Sequence, residues 1–252
     1  MLSKLSIIIP TYNEEKRLPL TLDKLFAVMS EKYRAPYEVI IMDDGSRDGT
    51  PKLVRDLMRK YAELRLIRFE KNRGRGAVVR DGILKEATGD FILQMDADGS
   101  TEMEAIVRFV AYFHEHPEVA VLTGSRTVAG SRVLSPQPLL RILLGNCFLL
   151  VAKIAFGWPL IDRINGFKMF RATAARDIYQ NQLSDHYIAE AEVIFVAERR
   201  GWTVRELPIL WTDYRDSRIK PVRDSWRSIV GMIEIVRNNR KGRYTRNKIT
   251  TR

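Results

Sequence analysis

Short apolar runs alternate with amphipathic stretches through the first half of the chain. Leu5–Ile9, Val39–Met42, Leu64–Phe69, Phe91–Met95 and Val119–Thr123 are unbroken apolar or nearly so, the pattern of strands buried on both faces. Between them the apolar positions follow a helical period. Leu18, Leu22, Leu25, Phe26 and Met29 fall on one face, and Leu53, Val54, Leu57, Met58 and Tyr61 on another. The second of these helices opens at Asp48-Gly49-Thr50-Pro51, a cap followed by a proline suited to a first turn. A third runs from about Glu102 through Ile106, Val110 and Phe113. Such strand–helix alternation predicts an α/β fold, a mostly parallel, doubly wound, Rossmann-like sheet flanked by helices. Ligands of these sheets bind beyond the carboxyl ends of the strands.

The second half follows a different pattern. From Leu139 to Ile161 the chain is strongly apolar, but Arg141, Asn146, Lys153 and Pro159 interrupt it. No clean run of about 20 apolar residues is left to span a bilayer. Two readings fit residues 139–161: an ordinary core helix, or a helix in the membrane interface with its basic residues snorkelling. Residues 237–252 carry many Lys and Arg and no acid, and are expected to form a disordered basic tail able to touch anionic lipid. The remainder, 1–236, is expected to be one catalytic domain.

Composition narrows the partners. With 252 residues, 45% hydrophobic content and a net charge of +11, the chain can bury a large core and favours a polyanionic ligand. The single Cys147 excludes an internal disulfide, and its apolar setting suits a core position better than a nucleophile. Leu5–Ile9 is too short for the apolar region of a signal peptide, so none is expected. Nucleic acid is disfavoured as a partner. No recognised nucleic-acid motif is present, and carboxylate pairs at strand ends repel a phosphate backbone.

Those pairs carry the candidate chemistry. Asp96-Ala97-Asp98 follows the fourth strand-like run, and alternate side chains of an extended segment share a face. One or two carboxylates, completed by substrate phosphates and water, are the usual protein contribution to a Mg²⁺ site. Three further segments lie at strand ends. Pro10-Thr11-Tyr12-Asn13-Glu14 offers an aromatic face and a carboxylate for a base and ribose. Asp43 and Asp44, in Asp43-Asp44-Gly45-Ser46-Arg47-Asp48-Gly49-Thr50, can accept hydrogen bonds from the same groups. Asn72-Arg73-Gly74-Arg75-Gly76 brings amides and the Arg73 and Arg75 guanidiniums suited to a diphosphate. Each has a bland reading as a turn or solvated surface; their joint placement after successive strands points to a nucleotide-sugar site.

These segments, with GDFILQMDADGST and GSR, resemble the inverting family 2 glycosyltransferases of GT-A fold. The resemblance runs from about Leu5 to Lys220 and is narrowest to the dolichyl-phosphate glucosyl- and mannosyltransferase branch. Asn72–Thr101 and the run DRINGFKMF are more similar to the β-glucosyltransferases. It implies that Pro10, Tyr12, Glu14 and Asp44 hold the nucleoside, and that Asp96 and Asp98 hold Mg²⁺ or Mn²⁺ and the diphosphate. It implies phosphate contacts for Arg126 and Lys168, and a mobile basic loop over Tyr214–Lys220 that brings Arg215, Arg218 and Lys220 to a donor or acceptor phosphate.

The implied reaction moves a hexose from a nucleotide sugar to a polyprenyl (dolichyl) phosphate, giving a β-linked product, with UDP-glucose the favoured donor. GDP-mannose, UDP-N-acetylglucosamine and a saccharide hydroxyl acceptor are the alternatives. Asn165 stands where relatives often carry Cys or Ser. The chain also lacks the membrane helices that flank some relatives, so attachment to the cytoplasmic membrane face is expected to be peripheral. Glu190 and Glu192 lie roughly where relatives with hydroxyl acceptors place a general base. A lipid phosphate, with a second pKa of ~6, is already ionised and needs none, which favours a structural role for both.

Overall fold

The computed structural model describes residues 3–135, 139–158, 164–212 and 221–245. Strands β1 (Leu5–Thr11), β2 (Tyr37–Asp43), β3 (Leu64–Arg68), β4 (Phe91–Gln94) and β5 (Val121–Ser125) alternate with helices α1 (Leu18–Lys32), α2 (Thr50–Leu57), α3 (Arg75–Asp81) and α4 (Glu104–Glu115). β6 (Arg132–Val133) and α5 (Leu139–Phe156) follow, then β7 (Lys168–Arg171), α6 (Ala172–Gln180), α7 (Ala189–Arg199), β8 (Val204–Pro208), β9 (Leu210–Trp211) and α8 (Pro221–Arg240). Seven strands form one sheet in the order β3-β2-β1-β4-β7-β5-β8; β6 and β9 form a separate parallel pair. Only β7 runs antiparallel in the large sheet, entering between β4 and β5. The sheet is therefore mostly parallel, as the strand–helix alternation requires.

Strand period explains why the apolar runs are unbroken. Leu5, Ile7 and Ile9 of β1, with Val39 and Ile41 of β2, pack into a core shared with α1, α2 and α4. The intervening Ile8, Ile40 and Met42 join a second core with α3, α6, α7 and α8. Each strand thus buries alternate side chains on opposite faces of the sheet, and each such Ile or Val contributes about 1.5–3 kcal/mol.

Several element boundaries depart from the periodicity. α2 stops at Leu57, and Met58 is exposed, although Tyr61 still stacks on Phe26 at 3.8 Å between ring centroids. α4 begins at Glu104 because Glu102 turns back, accepting from the Leu210 amide at 2.8 Å and from Arg108 at 2.5 Å. α5 packs against α8; residues 159–161 and the Cys147 side chain lie outside the described residues. The expected boundary before residue 237 is corrected. α8 continues through Arg240, and Tyr244 is fully buried with its ring edge-on to Phe195 at 6.0 Å. An aromatic ring docked into the second core holds this segment on the fold despite its basic neighbours. Residues 246–252 lie outside the described residues.

Candidate active site

A cleft of about 380 Å³ opens at the carboxyl ends of β1, β2 and β4. It gathers Pro10, Tyr12, Glu14, Asp44, Arg75, Asp96, Ala97, Asp98 and Arg126, which are among the residues expected there. Backbone geometry builds its nucleoside end. Asn13 has φ of 56°, a left-handed conformation that Asn tolerates better than most residues. There its amide donates to Ser46 Oγ at 2.8 Å, and its Oδ1 accepts from the Arg47 amide at 2.7 Å, tying the β1 loop to the β2 loop. Tyr12 remains 36% exposed, presenting its ring to the cleft. Glu14 forms a two-pronged pair with Arg17, Nε–Oε2 2.7 Å and Nη2–Oε1 2.6 Å. Arg17 also lines the cleft, and the Glu-x-x-Arg spacing at the entry to α1 is the sequence signal that could have found it.

The acidic pair after β2 splits its duties. Asp44 accepts from the backbone amides of Arg73 at 2.6 Å and Gly74 at 3.0 Å. Burial pushes its carboxyl above the ordinary range, while these amides and the Arg73 charge pull the other way. Asp43 does not line the cleft. It is fully buried, closes the turn by accepting from the Ser46 amide at 3.3 Å, and lies 3.4 Å from Arg68 Nε. Of the residues expected at a diphosphate in 72–76, Arg73 does not line the cleft. Two of the amides serve Asp44, and the Arg73 guanidinium pairs with Asp81 at 2.6 Å and stacks 4.8 Å from the Phe69 ring. Asn72, Gly74 and Arg75 reach the cleft wall.

Arg75 joins the cleft to a buried network. One guanidinium nitrogen donates to Asp96 Oδ1 at 2.5 Å, and another donates to Glu190. Glu190 is 4% exposed and also accepts from Lys168 Nζ at 2.5 Å and from Gln94 Nε2 at 2.7 and 2.6 Å. Gln94 in turn accepts from the Tyr179 hydroxyl. Lys168, expected near phosphates, is fully buried on β7 with its ammonium on Glu190 and the Asn165 carbonyl. It does not line the cleft, because an inward-facing position on a central strand points at α7 rather than at the strand end.

Glu190 and Glu192 part company for a similar reason. Two residues apart on a helix is a rotation of about 200°, so they face opposite sides of α7. Glu192, also fully buried, accepts from the Leu183 amide at 3.2 Å, the Ser184 amide at 2.8 Å and the Tyr244 hydroxyl at 2.5 Å. Neither glutamate lines the cleft.

Asp98 accepts from the Ser100 amide at 3.0 Å, and burial together with the Asp96 charge raises its carboxyl pKa. Gly166 is pressed against Asp96: a Cβ there would sit 2.3 Å from Oδ2. Among the described residues no cluster of three or more His, Cys, Asp or Glu gathers into a protein-only metal cage. Two mutually repelling carboxylates at an open cleft instead suit a hard divalent ion that takes its other ligands from phosphate and water. Arg126 also faces the cleft, its guanidinium 5.0 Å from the Trp211 ring centroid. Trp211, Tyr187 and Ile164 complete the wall without any sequence signal, since all are brought in from the distant second half. Arg215, Arg218 and Lys220 lie outside the described residues.

The model of glycosyl transferase family 2 matches residues 6–179. The dolichyl-phosphate beta-glucosyltransferase of Dictyostelium discoideum is 32% identical over 230 residues, covering 88% of this chain and 70% of the relative. The human enzyme of the same name is 29% identical over 228 residues, 86% of this chain and 70% of its own. Among solved structures, glucosyl-3-phosphoglycerate synthase from Mycobacterium tuberculosis with UDP superposes with a TM-score of 0.67 at 15% identity, over 98% of this chain and 82% of that one. A mannosyltransferase from Pyrobaculum calidifontis, in complex with GDP-Man and Mn²⁺, gives 0.56 at 20% identity over 90% of this chain and 60% of that one. At those identities the likeness is one of fold.

Proposed function

The chain belongs to glycosyl transferase family 2, and on that premise we propose that it moves glucose from UDP-glucose to a polyprenyl (dolichyl) phosphate with inversion at C1. The curated relatives named above act as dolichyl-phosphate beta-glucosyltransferases, which supports both the sugar and the acceptor class. One observation carries the acceptor reading from the chain itself: among the described residues, every carboxylate that lines the cleft already accepts a hydrogen bond or pairs with an arginine. Glu14 pairs with Arg17, Asp44 with two amides, Asp96 with Arg75 and Asp98 with the Ser100 amide. Glu190 is flanked by Arg75 and Lys168, and adjacent cations make a carboxylate a poor base. A hydroxyl acceptor requires a base; a phosphate monoester with a second pKa of ~6 arrives ionised.

In this reading Tyr12 stacks on the base, and Arg126, held against Trp211, faces the phosphates. Arg75 fixes the Asp96 carboxylate in place. Asp96 and Asp98 would hold Mg²⁺ or Mn²⁺, whose chemistry is to neutralise charge on the departing diphosphate. Attachment to the membrane would be peripheral and cytoplasmic. Among the described residues no helix is long and apolar enough to cross a bilayer. The packed α5–α8 pair exposes Leu150 and Ile154 on one helix and Val230 and Ile233 on the other. Exposed Lys153, Arg227, Arg237 and Arg240 lie on the same two helices, a combination suited to an anionic lipid surface.

The test is transfer from labelled UDP-glucose to dolichyl phosphate in the presence of Mg²⁺ or Mn²⁺, read as label extracted into organic solvent. GDP-mannose and UDP-N-acetylglucosamine run beside it. Label in the lipid phase only with another donor would reassign the sugar. Label appearing only on a saccharide acceptor would overturn the phosphate reading.

A further inference from the structure

We propose that Tyr244, near the end of the described chain, is a positioning residue for the donor cleft, acting through Glu192 and the 182–187 segment. Its link to nucleotide binding rests on the donor reading above. Tyr244 is fully buried, and its hydroxyl donates to Glu192 Oε1 at 2.5 Å. Oε1 also accepts from the Leu183 amide at 3.2 Å, and Oε2 from the Ser184 amide at 2.8 Å. Glu192 is itself fully buried, so each of these donors offsets the cost of keeping a carboxylate away from water.

The opposite side of the same segment braces the cleft. The Ala77 amide donates to the Asp185 carbonyl at 3.2 Å, and Arg80 Nη2 donates to Asp185 Oδ1 at 2.7 Å. Contact with the arginine–glycine loop leaves no room for a side chain. A Cβ on Gly74 would lie 2.4 Å from the Asp185 carbonyl oxygen, and one on Gly76 2.5 Å from that of Ser184. Gly74 has φ of 95°, and its amide is one of the two that hold Asp44. Tyr187, closing the segment, lines the cleft. A continuous run of contacts therefore leads from the turn after α8, through Glu192, to the loop that sets Asp44 and Arg75. Without the hydroxyl, Glu192 loses one of its three donors and its grip on residues 183–184 loosens.

The experiment is Tyr244→Phe in the full chain, which keeps the ring against Phe195 and removes only the hydroxyl. Hydrogen exchange at 182–188 is expected to speed by about 10-fold, the loss attached to a hydrogen bond on a charged group. UDP affinity with Mg²⁺, read by calorimetry, is expected to weaken roughly 5-fold, and KM for the nucleotide sugar to rise with little change in kcat. Glu192→Gln must set an amide N–H₂ against backbone donors. It should show the larger exchange effect, and serves the same reading if Tyr244→Phe folds poorly. A lowered melting temperature with unchanged exchange at 182–188 would overturn the proposal, as would faster exchange with unchanged UDP affinity. Should the wild-type chain fail to bind UDP, the donor reading falls, and unchanged exchange at 182–188 remains the result that overturns the role of Tyr244.

Discussion

Two pairs of carboxylates in this molecule share the same spacing and meet different fates. Asp96 and Asp98 lie just past the end of β4 and both face the cleft. Glu190 and Glu192 lie in the first turn of α7 and face opposite sides of the helix, both buried. Past a strand end the i,i+2 spacing gathers negative charge at one place; on a helix it divides that charge. The first pair is electrostatically uncomfortable: burial first, and the neighbouring Asp96 charge second, raise the Asp98 carboxyl pKa. Each member of the second is saturated by donors. The cleft holds a repulsion for a ligand to relieve, whereas α7 commits its charge to structure.

The sharpest way to break this contrast is Asp98→Asn. We expect transfer to fall about 10²–10³-fold, the scale of losing a leaving-group stabiliser, while the ligand-free protein becomes more stable. The sign follows from linkage. A carboxyl whose folded pKa is raised costs stability at neutral pH, and that cost fades as pH falls through the raised value toward the ordinary 3.8. The pH dependence of the wild-type melting temperature, compared with the variant, checks it; a destabilised Asp98→Asn at pH 7 would contradict the stored repulsion.

Glu190→Gln should do the reverse. It leaves the Arg75 and Lys168 charges without their shared carboxylate, and breaking a buried pair costs about 3–5 kcal/mol. Denaturant unfolding measures the loss. A 10²-fold or greater collapse in single-turnover transfer at undiminished stability would instead make Glu190 a base. Gly166→Ala is expected to lower transfer roughly 10-fold, because its Cβ must push the Asp96 carboxylate off Arg75. Steady-state kinetics over a range of Mg²⁺ concentrations would report it. The smallest effect is Tyr12→Ala, whose half-open ring should cost about 1 kcal/mol of nucleotide affinity, a several-fold rise in Kd by calorimetry.

The four strand-end segments were legible because everything that places them is local. An apolar run of the right length ends, and the next residues must emerge at the carboxyl edge of the sheet. Pro10, Tyr12, Glu14, Asp44, Asp96 and Asp98 reached the cleft for that reason alone. The position of Arg73 in the same loop was not legible, because its partner, Asp81, lies at the far end of the next helix and turns the guanidinium away from the cleft wall. The segment after residue 237 read as a tail because charge dominates its composition, while one aromatic residue, Tyr244, decides where it goes.

Residue order along the strands thus determined the sheet, its two apolar faces and the acidic rim of the cleft. Tertiary structure alone decided which charges face a ligand and which face each other. Lys168, Glu190 and Arg75 come together from β7, α7 and α3, and Tyr244 meets Glu192 from beyond α8. Such pairings depend on how the antiparallel β7 threads between parallel strands and how helices stack on one face. Side-chain period repeats every few residues and fixes facing within an element, but it carries no information about which distant element lies opposite.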